Sequence, residues 1–83
     1  MNKPVCAVVG VGPGNGAAIA RKFTTEGYQV ALMARKQDYL DQLAAELVGS
    51  RGYTCDVTDA AAIEAVFDAI KQDMGAVDVL VYN

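Results

Sequence analysis

Apolar and polar residues alternate along the chain in blocks whose lengths and spacings predict four strands and three helices. The strands are apolar runs at residues 5–9, 28–34 and 77–82, together with a less hydrophobic run at 51–55. Uninterrupted apolar runs of this length are typical of strands that are buried on both faces of a parallel sheet. The run at 51–55 is therefore predicted to lie at the edge of that sheet.

The three predicted helices separate the strands and place apolar residues three and four positions apart. The first runs from residue 14 or 15 to 26 and is capped by Gly27, whereas Asp38 opens the second and Gly49 closes it. The third follows capping residues at 56–59 and stops at Gly75. The side chains predicted to face the sheet are Ile19, Phe23, Ala17, Ala18, Ala20, Leu40, Leu43, Leu47, Ile63, Val66, Phe67, Ile70 and Met74.

The resulting order is βαβαβαβ, which predicts an α/β fold with a parallel sheet and helices on both faces. The apolar fourth strand finishes at Asn83, so its edge would be open where a doubly wound sheet normally continues. We therefore expect residues 1–83 to be the N-terminal part of a single larger domain, with a complete four-stranded domain as the alternative.

Four glycines at alternate positions, Gly10, Gly12, Gly14 and Gly16, connect the first strand to an alanine-rich helix. A tight turn of this kind leaves backbone amides unpaired at the helix N-terminus, where the amides and the helix dipole favour a phosphate. The pattern therefore predicts a nucleotide site, with a glycine-rich turn that binds no ligand as the alternative.

The spacing of the glycines narrows the class of nucleotide. The pattern G-x-G-x-x-G would need a third glycine at Asn15 and fails, whereas G-x-x-x-G-x-G fits Gly10, Gly14 and Gly16. The pattern G-x-G-x-G also fits, and it resembles the turn of methyltransferases that bind S-adenosylmethionine. No Gly-Lys-Ser or Gly-Lys-Thr follows, which excludes a Walker-type loop.

Composition excludes several other classes. The net charge is -3 and the basic residues are scattered, which argues against a nucleic-acid partner. No apolar run approaches the length of a membrane span, and the first residues do not form a signal peptide, so we expect a cytoplasmic protein with no membrane partner.

The chain has no histidine, which excludes a zinc site and any histidine-activated nucleophile within these residues, and we predict no metal site.

The two cysteines are predicted to be buried thiols. Cys6 lies in the first strand and Cys55 in the third. If the second strand lies between them, the two residues are about 9–10 Å apart, which is too far for a disulfide.

Segments that follow three different strands together resemble the N-terminal half of the short-chain dehydrogenase/reductases, oxidoreductases with a Rossmann-type doubly wound sheet. Gly10-x-x-x-Gly14-x-Gly16 is similar to the cofactor turn of that family. Asp56-Val57 is similar to its adenine-contacting pair, and residues 79–83 resemble the start of its Asn-Asn-Ala-Gly segment. The chain departs from the family pattern at three positions. Val9 stands where the family often has Thr, Asn15 where it often has Ile or Leu, and Tyr82 where it has Asn.

The resemblance implies an NAD(P)-dependent oxidoreductase that acts on a small carbonyl or alcohol substrate and forms a homo-oligomer at full length. Gly14, Asn15 and Gly16 would lie under the pyrophosphate. Asp56 would accept a hydrogen bond from the adenine amino group, Val57 would contact the ring, and Asn83 would lie beside the ribose. The alternative for Asp56 is that it only forms a turn, and the alternative for Asn83 is that it only ends a strand. The predicted cofactor-binding residues are Gly10, Gly12, Pro13, Gly14, Asn15, Gly16, Arg35, Lys36, Asp56, Val57 and Asn83.

The end of the second strand favours NADP(H) over NAD(H), which stays the second choice. NAD binders place a carboxylate there for the ribose hydroxyls, and that carboxylate would repel a 2′-phosphate. Here Ala34 is followed by Arg35 and Lys36, whose charges suit a phosphate dianion, although both could simply be a solvated strand end. The missing carboxylate also weighs against a methyltransferase, which needs one for the ribose of S-adenosylmethionine.

The catalytic residues of the family, a Ser, a Tyr-x-x-x-Lys pair and an Asn, fall C-terminal to position 83. No tyrosine of this chain is followed by a lysine four residues later. We therefore assign no catalytic residue and expect this chain to supply the cofactor-binding half of an oxidoreductase. The alternative functions are a non-catalytic NADP(H)-binding or sensing module and a methyltransferase fragment, and the open fourth strand could also require partner strands for stability.

Overall fold

The computed structural model describes residues 3–12 and 14–83, which form a parallel sheet of four strands with helices on both faces. The strands lie in the order β3-β2-β1-β4, so β3 is at an edge as its composition predicts. The α/β fold and the element order βαβαβαβ are therefore confirmed. The elements are β1 (Val5–Val9), α1 (Asn15–Thr25), β2 (Gln29–Ala34), α2 (Gln37–Glu46), β3 (Ser50–Thr54), α3 (Ala60–Asp73) and β4 (Val79–Tyr82).

The two faces of the sheet are covered by different helices because alternate residues of each strand point to opposite sides. On one face, Cys6, Val8 and Leu32 pack with α1 and α2. On the other, Val9 and Met33 pack with α3. Every residue of β1 is buried, which explains why the sequence of this strand shows no alternation of polar and apolar positions.

The predicted core positions are confirmed with one exception. The three leucines of the α2 region and Ile70 are buried, and the other predicted aliphatic and aromatic residues are partly buried against the same two clusters. Ala18 is exposed, contrary to the prediction, because the helical period turns Ala17 and Ala20 toward the sheet and leaves Ala18 outside.

Both cysteines are buried free thiols, as predicted. Strand β2 lies between β1, which carries Cys6, and β3, after which Cys55 follows. Burial raises the pKa of the Cys6 thiol to about 11, so this group stays protonated at neutral pH.

Several element boundaries differ by one or two residues from the predictions, for identifiable reasons. Lys36 is the N-cap of α2, so Asp38 lies in the first turn of the helix rather than before it. Strand β3 ends at Thr54, one residue earlier than predicted. Strand β4 begins only at Val79, and the side chain of Asp78, just before it, accepts a hydrogen bond from the Val5 amide at 2.9 Å.

Strand β4 has β1 on one side and no second neighbour among the described residues. Its residues Leu80 and Tyr82 are in register with Ala7 and Val9 and therefore point to the α3 face, where they are 48% and 66% exposed. The edge at β4 is thus open in residues 3–12 and 14–83, as predicted. No helix in this part of the chain is long and apolar enough to cross a membrane.

Candidate cofactor site

The described residues predicted to bind the cofactor follow the carboxyl ends of the four strands. Gly10 follows β1, Arg35 follows β2, Asp56 lies just after β3, and Asn83 follows β4. The strand order therefore places these segments along one edge of the sheet in the sequence Asp56, Arg35, Gly10, Asn83. In open α/β sheets, ligands bind in the crevice outside this edge.

The glycine turn is held against the end of β2 by main-chain hydrogen bonds. The amides of Gly10 and Val11 both donate to the Met33 carbonyl, each at 2.9 Å. Gly10 and Gly14 have φ angles of 87° and 93°. Because side chains rarely adopt this left-handed region, the turn requires glycine at both positions.

Helix α1 begins without a side-chain cap. Its N-cap is Gly14, and no acidic residue lies in its first turn. The amides of Ala17 and Ala18 donate to the carbonyls of Gly12 and Gly14 at 3.1 and 3.0 Å, whereas the amides of Asn15 and Gly16 donate to no acceptor in the described part of the chain. As far as the described residues are concerned, these two amides and the positive end of the helix dipole are therefore left for an anion.

Gly16 allows α1 to approach the turn and the end of β4 closely. A Cβ atom on Gly16 would lie 3.0 Å from Val11 Cα, 3.1 Å from Asn83 Nδ2 and 3.2 Å from the Gly10 carbonyl oxygen. The Asn83 side chain donates from Nδ2 to that same oxygen at 3.0 Å. Asn83 thus joins β4 to the turn, and its predicted place beside a ribose stays a prediction.

Gly12 is the glycine that the described fold does not itself require. Its φ lies outside the left-handed region, and a Cβ atom there would have no described neighbour within 4 Å. The space beside it is therefore open for close approach of a ligand to the backbone, as a pyrophosphate-binding turn needs. Pro13, also predicted to bind the cofactor, lies outside the described residues.

Arg35 and Lys36 form the connection between β2 and α2, and both are exposed. Neither makes an ion pair with the described acidic residues. Ala34, where a carboxylate would stand in an NAD site, is buried. The connection between β2 and α2 therefore presents two cations that make no ion pair with the described residues.

Asp56 closes the turn after β3. Its Oδ1 atom accepts hydrogen bonds from Thr58 Oγ1 at 2.7 Å and from the Thr58 amide at 3.0 Å. These bonds, and to a smaller extent the charge of Arg35, lower the pKa of Asp56. The other oxygen, Oδ2, accepts no hydrogen bond from residues 3–12 and 14–83, so an exocyclic amino group could still bind there.

The remaining predicted residue of this segment, Val57, is partly buried and packs on the cluster beside α3. The N-cap of α3 is Asp59, whose Oδ1 accepts from the amides of Ala61 and Ala62 at 3.0 and 3.3 Å. Capping of α3 therefore does not require Asp56. The part of the chain that the structure describes contains no group of three or more metal-ligating side chains.

Thr54 and Gln37 also belong to this edge and were missed by sequence reasoning. Thr54 Oγ1 donates to Gln37 Oε1, and Gln37 Nε2 donates to Asp41 Oδ1 at 2.7 Å. Residues 54 and 37 are far apart in the sequence, and only the pairing of β2 with β3 brings them together. The one feature of the sequence that could have indicated these contacts is the four-residue spacing of Gln37 and Asp41, which places the two side chains next to each other on a helix.

Comparison with known proteins gives the family. The family model described as short chain dehydrogenase matches residues 4–83, and the chain belongs to that family. The chain is 40% identical over 81 residues to D-threitol dehydrogenase of Mycolicibacterium smegmatis, covering 93% of this chain and 31% of that protein. It is 35% identical over 81 residues to meso-2,3-butanediol dehydrogenase of Serratia marcescens, covering 95% of this chain and 32% of that protein.

Solved structures agree with this assignment. A variant of actinorhodin polyketide ketoreductase, crystallised with NADPH, matches with a TM-score of 0.93 and 38% identity, over 100% of this chain and 34% of that one. A short-chain dehydrogenase/reductase from Serratia marcescens matches with a TM-score of 0.91 and 28% identity, over 100% of this chain and 36% of that one. The chain therefore spans about a third of the length of these relatives, and its family decides against the methyltransferase alternative.

Proposed function

We propose that the protein is an NADP(H)-dependent oxidoreductase that interconverts a small carbonyl compound and the corresponding alcohol, and that this chain holds the adenine end of the cofactor. The dehydrogenases among its relatives and the NADPH in a similar ketoreductase structure support this proposal. A bound nicotinamide dinucleotide would carry the hydride. The residues of this chain bind and orient that cofactor.

The observation that carries the choice of NADP(H) is the sequence Ala34-Arg35-Lys36 at the end of β2. With alanine in place of a carboxylate, nothing at this position would hold the ribose hydroxyls of NAD(H) or repel a 2′-phosphate. The guanidinium of Arg35 can donate two parallel hydrogen bonds to a phosphate, and it makes no competing ion pair with the described carboxylates. Lys36 adds a second positive charge beside it.

The other contacts follow from the same edge. The amides of Asn15 and Gly16 would donate to the pyrophosphate, with Gly12 allowing close approach of the backbone. Asp56 stays ionised at neutral pH and would accept a hydrogen bond from the adenine amino group through Oδ2. Asn83 would lie next to the ribose.

The test is the ratio of the dissociation constants of NADPH and NADH at one fixed salt concentration, measured by cofactor fluorescence on the intact protein that carries this chain. We expect NADPH to bind at least about tenfold more tightly. Arg35→Ala should weaken NADPH about 10- to 100-fold and NADH less than about twofold, because a charge-assisted hydrogen bond contributes about 1.5–3 kcal/mol.

The matched control is Lys71→Ala, which removes the same unit charge from an exposed position in the last turn of α3. This change should leave both dissociation constants within about twofold. Equal affinity of the unchanged protein for the two cofactors would contradict the proposal. Tight NADPH binding without oxidation of the cofactor by any carbonyl substrate would instead favour the alternative of a sensing module.

A further inference from the structure

We propose that Thr54 and Gln37 are positioning residues for NADP(H) selectivity: together they clamp the connection that carries Arg35, and they do not touch the cofactor themselves. This inference rests on the proposed function, because it concerns how Arg35 is presented to a 2′-phosphate. We call the hydrogen-bonded side chains of Thr54, Gln37 and Asp41 the clamp.

One end of the connection is fixed through the main chain. Only Arg35 and Lys36 lie between the last residue of β2 and the first residue of α2. Ala34 is in register with Thr54 in the parallel pairing of β2 with β3. The Ala34 carbonyl also accepts a hydrogen bond from the Cys55 amide at 2.8 Å. The backbone that enters the connection is therefore held on the end of β3.

The other end is fixed through side chains and the first helical turn. Gln37 follows Lys36 directly, and its Oε1 atom accepts the hydrogen bond from Thr54 Oγ1. The Nε2 atom of Gln37 donates to Asp41 Oδ1 at 2.7 Å, which sets the orientation of the amide group. The Lys36 carbonyl accepts from the Leu40 amide at 3.1 Å. The end of β3 thus holds both sides of the connection: the Cys55 amide holds the backbone before Arg35, and the Thr54 hydroxyl holds the side chain after Lys36.

The clamp matters because Arg35 has no ion pair with the described residues that would hold it in place. An exposed arginine has to be ordered when it binds a phosphate, and this ordering reduces the affinity. A two-residue connection that is fixed at both ends leaves less backbone freedom to lose. Removal of the clamp should therefore weaken binding of the 2′-phosphate, while the contacts at the glycine turn remain.

The position of α2 itself does not depend on the clamp. Leu40 and Leu43 are buried in the core, and Gly52 of β3 allows Leu40 to approach closely, since a Cβ atom on Gly52 would lie 2.8 Å from Leu40 Cβ. The side chains of Thr54 and Gln37 are exposed. Changes in the clamp should accordingly leave the fold intact and act on the connection.

The test uses Thr54→Val, which has nearly the same shape but no hydroxyl, in the intact protein that carries this chain. Calorimetric titration with NADP+ and with NAD+ gives two dissociation constants. We expect Thr54→Val and Gln37→Ala each to weaken NADP+ binding about three- to tenfold, roughly the effect of the Thr54–Gln37 hydrogen bond that both variants remove, and to change NAD+ binding by less than about twofold. Thr54→Ser retains the hydroxyl and should restore NADP+ binding.

The following outcomes would overturn the inference. Unchanged NADP+ affinity in both variants would show that the clamp does not act on Arg35. Equal losses for NADP+ and NAD+ would show a general structural role instead. If Arg35→Ala also fails to reduce the preference for NADP+, the proposed cofactor choice fails and the clamp fails with it. If only Arg35→Ala reduces the preference, the proposed function stands and the clamp alone is wrong.

Discussion

Helices α1 and α3 both begin at the carboxyl edge of the sheet, and their first turns are built differently. Helix α3 follows Asp59, whose carboxylate accepts hydrogen bonds from the amides of Ala61 and Ala62. Helix α1 follows Gly14, which has no side chain to cap it. A side-chain cap stabilises a helix by about 1 kcal/mol, and α1 lacks this contribution. The comparison indicates that α3 is completed by its own chain, whereas α1 is open to a ligand.

The α1 start also depends on a close contact that α3 does not need. We expect Gly16→Ala to destabilise the protein by about 1–3 kcal/mol, although alanine normally favours a helix, because its Cβ would lie 3.0 Å from Val11 Cα and 3.1 Å from Asn83 Nδ2. Denaturant unfolding of the intact protein measures this change. An increase in stability would show that α1 does not need to lie so close to the turn.

The matched variant at the same turn is Gly12→Ala. Its Cβ meets no described atom within 4 Å, so the free energy of unfolding should change by less than about 1 kcal/mol. Nucleotide affinity should nevertheless fall, because the added methyl group would occupy the space through which the pyrophosphate approaches the backbone. Unchanged nucleotide affinity would contradict the assignment of this turn as the cofactor cradle.

At the start of α3 we expect the opposite of the Gly12→Ala result: a loss of stability without a loss of nucleotide affinity. Asp59→Ala removes both hydrogen bonds of the cap and should destabilise the protein by about 1 kcal/mol, with no change in NADP+ affinity beyond about twofold. Thermal unfolding and calorimetric titration of the same sample measure the two effects. Asp59→Asn, which keeps the capping oxygen, is the control and should remain close to the unchanged protein in stability. A selective loss of NADP+ affinity would mean that α3 also serves the cofactor.

Asp56 lies just before the start of α3 and gives the smallest expected effect. Its pKa is lowered mainly by the hydrogen bonds of Thr58. A carboxylate whose folded-state pKa is depressed stabilises the fold above the unfolded-state pKa, and this stabilisation is lost as the pH falls through the folded-state pKa. We expect Thr58→Val, which removes only the hydroxyl donor, to raise the pKa of Asp56 toward its ordinary value of 3.8. Thr58→Ser should leave the pKa low.

The side-chain ¹³C chemical shift of Asp56, followed against pH by NMR, reports this titration. An identical midpoint in the Val and Ser variants would mean that the hydroxyl of Thr58 does not stabilise the carboxylate. Such a result would make the charge of Arg35 or the Thr58 amide the main cause of the low pKa.

The sequence was sufficient to predict the positions of residues that repeat at helical spacing or that follow the end of a strand. The apolar residues of α2 and α3 repeat at helical spacing, and a glycine turn after a buried strand has few structural alternatives. Contacts set by strand pairing could not be predicted in the same way. The hydrogen bond from Thr54 to Gln37 depends on the register of β2 with β3, and the bond from the Val5 amide to the Asp78 side chain joins residues 73 positions apart. Such contacts join positions that no local pattern relates.

We propose that the start of α1, and not that of α3, binds the pyrophosphate of the cofactor. The most direct measurement is an amide NMR titration of the ¹⁵N-labelled intact protein with NADP+. Of the amides at the two helix starts, we expect those of Asn15 and Gly16 to show the largest chemical-shift changes and those of Ala61 and Ala62 to change little. Saturable binding with unmoved Asn15 and Gly16 amides, or with the largest changes at Ala61 and Ala62, would contradict it.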